Sequence, residues 1–198
     1  WQYVTINSTK RDYVEVSVMN VVQPIKSIED IERMKKALYG RDLLLFIFGI
    51  NSSLRISDIL SLKVGDVRGK TSLILREKKT GKRKEFRLNQ AIINAVRELV
   101  PESAADDDWL FPSKRNPSKP LDRTQAWRIL NDAAKRAGVD VHIGTHTLRK
   151  TFAYHRYRAG VDLAQLMVAL NHSSQRETLR YIGIEQEEID DLYDAINL

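Results

Sequence analysis

Apolar residues recur along this chain with two different periods, and the changes of period mark its elements. Over residues 1–24 apolar and polar positions alternate (Tyr13, Val14, Val16, Val18, then Val21 and Val22), the spacing of an extended or hairpin segment that Pro24 ends. From Ser27 the spacing becomes helical. Ile28, Ile31, Met34, Ala37 and Leu38 share a face, Ser27 with Asp30 makes a capping-box-like start, and Gly40 closes the helix. Arg41 to about Asn51 is apolar nearly all round (LLLFIFGI), which places this second helix at the centre of the core. In the NSSLRISDILSL that follows, Asn51, Ser52 and Ser53 are turn and cap residues, and Arg55 and Asp58 lie one helical turn apart. Leu54, Ile59 and Leu62 pack inward beside them. An arginine set against such neighbours is partly desolvated, an arrangement that destabilises unless the charge is paired or used.

Gly65-Asp66 and Gly69-Lys70 then punctuate a change of pattern. Ser72–Arg76 and Lys84–Leu88 read as short strands joined around Lys79-Thr80-Gly81-Lys82, a basic β-hairpin. Residues 89–99 form an amphipathic helix ending at Pro101, and SAADDDWLFPSKRNPSKPLD reads as an irregular surface loop. Residues 123–137 are helical and closed by Gly138. Helical pattern resumes after Gly144, and a short amphipathic helix spans Glu185 to Asn197. The order predicts a mainly α domain with a small antiparallel β-sheet, α+β in class. No internal repeat or low-complexity tract interrupts it.

Composition narrows the partners. With 198 residues, 42% hydrophobic and 29% charged, the chain is one soluble globular domain carrying an N-terminal appendage. Residues 1–26 are expected to be an extension or interdomain linker and 27–198 the folded domain. The start at Trp1 suggests a fragment whose N-terminal neighbour is left out. The longest apolar run falls far short of the roughly 18 residues of a spanning helix, and no signal-peptide pattern opens the chain. The absence of cysteine excludes disulfide and thiolate chemistry and fits a reducing compartment. A net charge of +6 favours an anionic partner, nucleic acid first. Residues 76–87 carry seven Lys/Arg against two Glu, whereas residues 185–194 carry six acids and no base, so a basic working region opposes an acidic tail.

The chemistry concentrates between Gly144 and Tyr181. His146 and Arg149 project from one face of a helix start, His172 follows an apolar run, and Tyr181 comes nine residues later. Taken alone, this stretch is equally a phosphate grip with an attacking phenol or an ordinary helical surface. Other enzyme readings fail on residue grounds. Lys79-Thr80-Gly81 echoes penicillin-binding enzymes, but no S-x-x-K supplies a serine nucleophile. His142 and His146 have metal-ligand spacing, yet Gly144 lies between them and no glutamate does. No phosphate-binding glycine loop occurs.

What remains is Arg55, a hairpin lysine, His146-x-x-Arg149, His172 and Tyr181. Together LRISDIL (54–60), KKTGKRKEFRL (78–88), HTLRKTFA (146–153) and LNHSSQRETLRYI (170–182) resemble the catalytic domain of the tyrosine recombinases, the phage integrase family, over roughly residues 27–198. The resemblance implies that family's catalytic-domain fold and site-specific DNA recombination through a 3′-phosphotyrosyl intermediate. It gives Arg55 and Arg149 the scissile phosphate to clamp and His172 a further hydrogen bond to it. It makes Tyr181 the nucleophile, Lys79 the general acid among the candidates Lys78, Lys79 and Lys82, His146 an acid/base group near the tyrosine, and Asp58 a support for Arg55. Lys78, Lys82, Arg83 and Lys84 would bind DNA. No metal, nucleotide or other cofactor is implied.

The expected partners are double-stranded DNA and further copies of the chain, monomeric in isolation and tetrameric on two DNA sites. Accessory DNA-bending proteins are candidates, and a membrane is not. The setting would be the cytoplasm, with bacterial, phage or mobile-element origin. Two departures from the family pattern stand out: Asn171 where glycine usually precedes the second histidine, and Ser53 where glycine is common before Leu54-Arg55. Asn171 suits a left-handed turn. The alternatives are DNA relaxation like that of a type IB topoisomerase, or a DNA-binding domain that has lost catalysis. Trp109 and Trp127 are expected in the core, His142 and His155 as structural or surface groups, and the C-terminal helix against a partner protomer.

Overall fold

The computed structural model describes residues 22–76, 79, 81, 83–144 and 146–183, so the alternating segment up to Val21 and the helix expected at Glu185–Asn197 lie outside the described residues. The helices are α1 (Ile28–Lys36), α2 (Gly40–Asn51), α3 (Ile56–Ile59), α4 (Gln90–Leu99), α5 (Arg123–Ala137), α6 (Thr147–Arg158), α7 (Leu163–Leu170) and α8 (Gln175–Ile182). A two-stranded antiparallel sheet, β1 (Ser72–Arg76) and β2 (Arg83–Arg87), lies between α3 and α4. The mainly α architecture with one small sheet is the one the hydrophobic pattern predicts. Among the described residues no helix is long and apolar enough to cross a membrane.

Helix α2 organises the rest because it is apolar on every side. It packs against α4 and α6 and also touches α1, α3 and α5. On one side Leu45 and Phe48 meet Ile92, Val96 and Phe111, with the Phe48 and Phe111 rings edge to face at 6.3 Å. On the other, Phe46 meets Met34, Leu130, Ile143 and Leu148. A third, smaller cluster of Ala153, Leu170 and Ile182 joins α6, α7 and α8. Gly49 lets α6 approach: a Cβ built there would sit 2.9 Å from Leu148 Cβ. Gly40 does not close α1, which ends at Ala37. It opens α2 instead, with φ 52, the left-handed conformation that turns the chain between the two helices.

Local chemistry fixes the other boundaries. Ser27 Oγ accepts from Asp30 N at 3.2 Å, Asn89 caps α4, and Asp122 with Gln125 forms a reciprocal capping box on α5. In the sheet Leu73 pairs with Phe86 and Leu75 with Lys84, so these four share the inward face. The outward face carries Arg76, Arg83 and Arg87, with Arg76 directly opposite Arg83. Like charges across a ladder are destabilising, and Glu85 on the same face offsets this pair by bridging Arg83 at 3.3 Å.

Several segments differ from expectation. Residues 22–26 belong to the domain body: Ile25 is fully buried, its N–H donates to Thr151 Oγ1 and its carbonyl meets His155 Nε2, each at 2.9 Å. That contact gives His155 a structural place, whereas His142 is exposed. The proline-rich loop is more than surface, because Leu110, Phe111 and Leu121 drop from it into the core. Neither tryptophan is a core residue. Trp127 is 40% exposed, and Trp109 is half-buried, donating Nε1–H to Ser118 O at 3.1 Å beneath the Lys63 ammonium.

The close approach at Gly49 is testable. A helix-interior Gly→Ala change normally stabilises by about 0.5–1 kcal/mol. Here Gly49→Ala is expected to lower stability by roughly 1–3 kcal/mol through overpacking against Leu148, measured as the shift in the urea unfolding midpoint.

Candidate active site

Three structural units bring the predicted residues together. Arg55 is the N-cap residue of α3, held half-buried by the turn that follows the central helix, with Asp58 beneath it at 2% exposure. Helix α6 begins at His146, and one turn on Arg149 is drawn inward to 4% exposure, donating from Nη2 to the Leu170 carbonyl. The third unit is the α7–α8 turn. Asn171 takes φ 53, the left-handed cap that its side chain tolerates, and His172 follows it. Thr178 Oγ1 donates to Ser174 O at 3.1 Å, which turns its lone pairs towards His172 Nδ1, also at 3.1 Å. The imidazole is thereby oriented by the first turns of α8, the helix that carries Tyr181.

Tyr181 is the focus. Its hydroxyl lies 3.4 Å from His146 Nδ1, and its ring meets the His172 ring edge to face at 4.8 Å. The Lys150 ammonium stands 5.2 Å from the ring centroid. Burial pushes the Tyr181 phenol up to about 12, while the Arg149 and Arg55 charges pull the other way. Burial holds His146 below the usual imidazole range, and the Arg149, Lys150, Arg55 and Arg123 charges add to that effect. His172 is lowered first by burial, opposed by Glu177 and reinforced by Arg149 and Arg55. Burial also lowers Lys150. Arg55, His146, Arg149, His172 and Tyr181 therefore form one electrostatic cluster, although Arg55 is 91 residues before His146 in the chain.

The basic hairpin stands apart from that cluster. Lys79 is exposed at its tip and makes no hydrogen bond or ion pair among the described residues. Lys78 and Lys82 lie outside the described residues. Arg83 is exposed and bridges Glu85 at 3.3 Å. Lys84, expected to meet DNA, is instead half-buried, and its ammonium donates to Ser53 Oγ at 2.8 Å and Ala169 O at 2.6 Å.

Sequence reasoning missed three contributors. Lys150 follows Arg149 directly and reaches the phenol ring. Thr178 precedes Tyr181 by three residues and orients His172. Arg123, at the start of α5, adds its charge to His146 and borders a concavity of about 620 Å³ with Ser57 and Trp127. Helical spacing alone could have singled out Thr178 and Lys150, but without the fold nothing ties Arg123 to the site. As chemistry, the cluster is a set of cationic and hydrogen-bonding groups around a single oxygen nucleophile, suited to a phosphodiester.

The profile of the phage integrase family matches residues 21–188, and the chain belongs to that family; its class is tyrosine recombinase. It is 46% identical over 172 residues to the probable integrase/recombinase YoeC of Bacillus subtilis, covering 85% of this chain and 93% of that protein. It is 28% identical over 160 residues to the tyrosine recombinase XerA of Pyrococcus furiosus, of which it covers 55%. Among solved structures, XerA recombinase superposes with a TM-score of 0.72 at 22% identity, over 90% of this chain and 64% of that one. XerH recombinase, in a post-cleavage complex with its palindromic difH substrate, superposes with a TM-score of 0.65 at 21% identity, over 83% and 49%. The fold is theirs, and the chain spans about half the length of several of these proteins.

The site leaves a signature in pH. Both imidazoles bind protons less readily folded than unfolded, so their contribution to stability is lost as pH falls below the ordinary 6.5. The phenol acts at the other end, because the unfolded chain releases its proton first. Relative to Tyr181→Phe, the wild-type protein is expected to lose roughly 2–3 kcal/mol as pH rises from 10.0 to about 12. Denaturant melts across both ranges, with the ultraviolet phenolate absorbance of the two proteins, check this.

Proposed function

We propose that this chain carries out site-specific DNA recombination by cleaving and rejoining strands through a covalent bond to Tyr181. The observation that carries the reading is the convergence of His146, His172, Arg55 and Arg149 on a single half-buried phenol. In the cleavage step the Tyr181 oxygen bonds to phosphorus and the bond to the 5′ oxygen breaks. The products are a 3′-phosphotyrosyl link and a free 5′-hydroxyl. His146, kept neutral near pH 7 by burial and neighbouring cations, takes the phenol proton. Lys79 protonates the departing oxygen. Arg55 and Arg149 hold the non-bridging oxygens as the charge develops, and His172 adds a hydrogen bond. Asp58 supports Arg55 from below.

These cations take the part that metal ions play in other phosphoryl transfers. The phosphotyrosyl bond conserves the energy of the broken one, so a second DNA end can be joined without ATP. The outward arginines of the hairpin, with Lys78 and Lys82, follow the DNA backbone. The DNA-bound XerH complex and a lambda integrase dimer on a core site support duplex DNA as partner and action in a multimer, here a tetramer. Cytoplasmic DNA is the substrate.

Adduct trapping tests the reading. The protein is incubated with a library of nicked duplexes and quenched in detergent, and protein-linked strands are sequenced. Wild type is expected to yield a covalent adduct at a preferred sequence and Tyr181→Phe none. Arg55→Lys and Arg149→Lys should each slow adduct formation by roughly a hundredfold or more. An undiminished adduct from Tyr181→Phe would overturn the nucleophile assignment, and relaxation of supercoiled DNA without sequence preference would favour topoisomerase action.

A further inference from the structure

We propose that Lys84 is a positioning residue that anchors the basic hairpin to the phosphate-binding half of the site. Apolar contact holds the hairpin through Leu73 and through Leu75 and Phe86, which pack half-buried against the core, and nothing apolar follows them on the inward face towards the tip. A lone two-stranded ribbon is marginal in water, and of its ten residues only Leu73 is buried, while Ile74 is 52% exposed. The inward face runs Leu73 and Phe86, then Leu75 and Lys84, so Lys84 is the last inward position of β2 before the tip. A lysine there points where an apolar side chain would ordinarily sit. Its ammonium spans the gap instead, donating to Ser53 Oγ at 2.8 Å and to Ala169 O at 2.6 Å.

Both acceptors belong to the site. Ser53 is buried two residues before Arg55, and Ala169 lies three residues before His172. The end of α7 accepts from both sides, Ala169 O from Lys84 and Leu170 O from Arg149, which suits a helix C-terminus whose last carbonyls lack partners. One tetrahedral ammonium therefore ties the hairpin to the segments that present Arg55 and His172. A longer, planar guanidinium would not reproduce that geometry. Five residues further along the hairpin is Lys79, so the inference rests on the reading of Lys79 as the acid for the leaving oxygen. With the ribbon anchored one pair short of its tip, the tip has a defined reach over the site.

The test separates anchoring from DNA attraction and from the phosphate grip. Hydrogen exchange of the free protein is compared for wild type, Lys84→Met, Lys84→Arg and Ser53→Ala. Exchange across 72–87 is expected to accelerate in all three variants while α2 amides stay protected; unchanged exchange in Lys84→Met overturns the proposal. Cleavage is then measured on the duplex recovered by adduct trapping, made once with a normal scissile phosphate and once with sulfur at the bridging 5′ position. A thiolate leaves without protonation. On the oxygen probe Lys84→Met should be roughly tenfold to a hundredfold slower than wild type, and on the sulfur probe it should match wild type, as should Lys79→Ala.

Equal slowing of Lys84→Met on both probes, or full recovery by Lys84→Arg, overturns anchoring in favour of the phosphate grip or of simple charge. If sulfur fails to relieve Lys79→Ala, the acid assignment falls. In that case, or if wild type forms no adduct, the exchange result alone decides the anchoring.

Discussion

The constraint on which the structure turns is the crowding of positive charge around one half-buried phenol. Arg55, Arg149 and Lys150 converge with two imidazoles on Tyr181. Enclosure costs these groups hydration, which pulls both histidines and Lys150 below their ordinary values and pushes the phenol up, while the arginine charges lower the imidazoles further and oppose the rise of the phenol. In the function proposed for the site, the negative charge of a phosphodiester reverses that balance by turning mutual repulsion into shared attraction. A site arranged in this way is tense without its ligand and relieved with it, the condition under which electrostatic groups act without reorganising.

Holding the charges apart falls to backbone oxygens. The last carbonyls of α7 accept from Arg149 and Lys84, the Thr178 hydroxyl orients His172, and the Asn171 left-handed cap ends α7 in time to present that imidazole. These supports are short helices with a small apolar cluster of their own. The stiffness comes from α2, which buries Leu44, Leu45, Phe46 and Phe48 and receives α6 at Gly49. Because α3 follows α2 directly and α6 packs across it, the two arginines are fixed to the same helix although far apart in sequence.

Much of this was legible beforehand, for identifiable reasons. Arg55 stood out because it follows the one all-apolar helix, His146 and Arg149 because helical spacing sets them on one face, and Asn171 because few residues accept a positive φ. The Ser27, Asn89 and Asp122 caps act within a few residues, so sequence reveals them. What was missed depends on distance across the fold. Trp127 reads as a core residue from its type, yet it lies 40% exposed beside Arg123 and Ser57. Lys84 is one of seven basic residues among residues 76–87 and looks like one more DNA contact. Only the register Leu75↔Lys84 shows that it faces inward.

The sequence by itself determined the elements, the central place of α2, the basic hairpin and the residue types of the site, since each of these follows from spacing and chemistry over a few turns of chain. Only the tertiary structure decided which charges share one phenol, that Lys150, Arg123 and Thr178 join them, and that a lysine expected on DNA holds the hairpin down. Coulombic coupling and hydrogen bonding fall off within ångströms, and those ångströms are set by packing between segments that the sequence separates by as many as 130 residues.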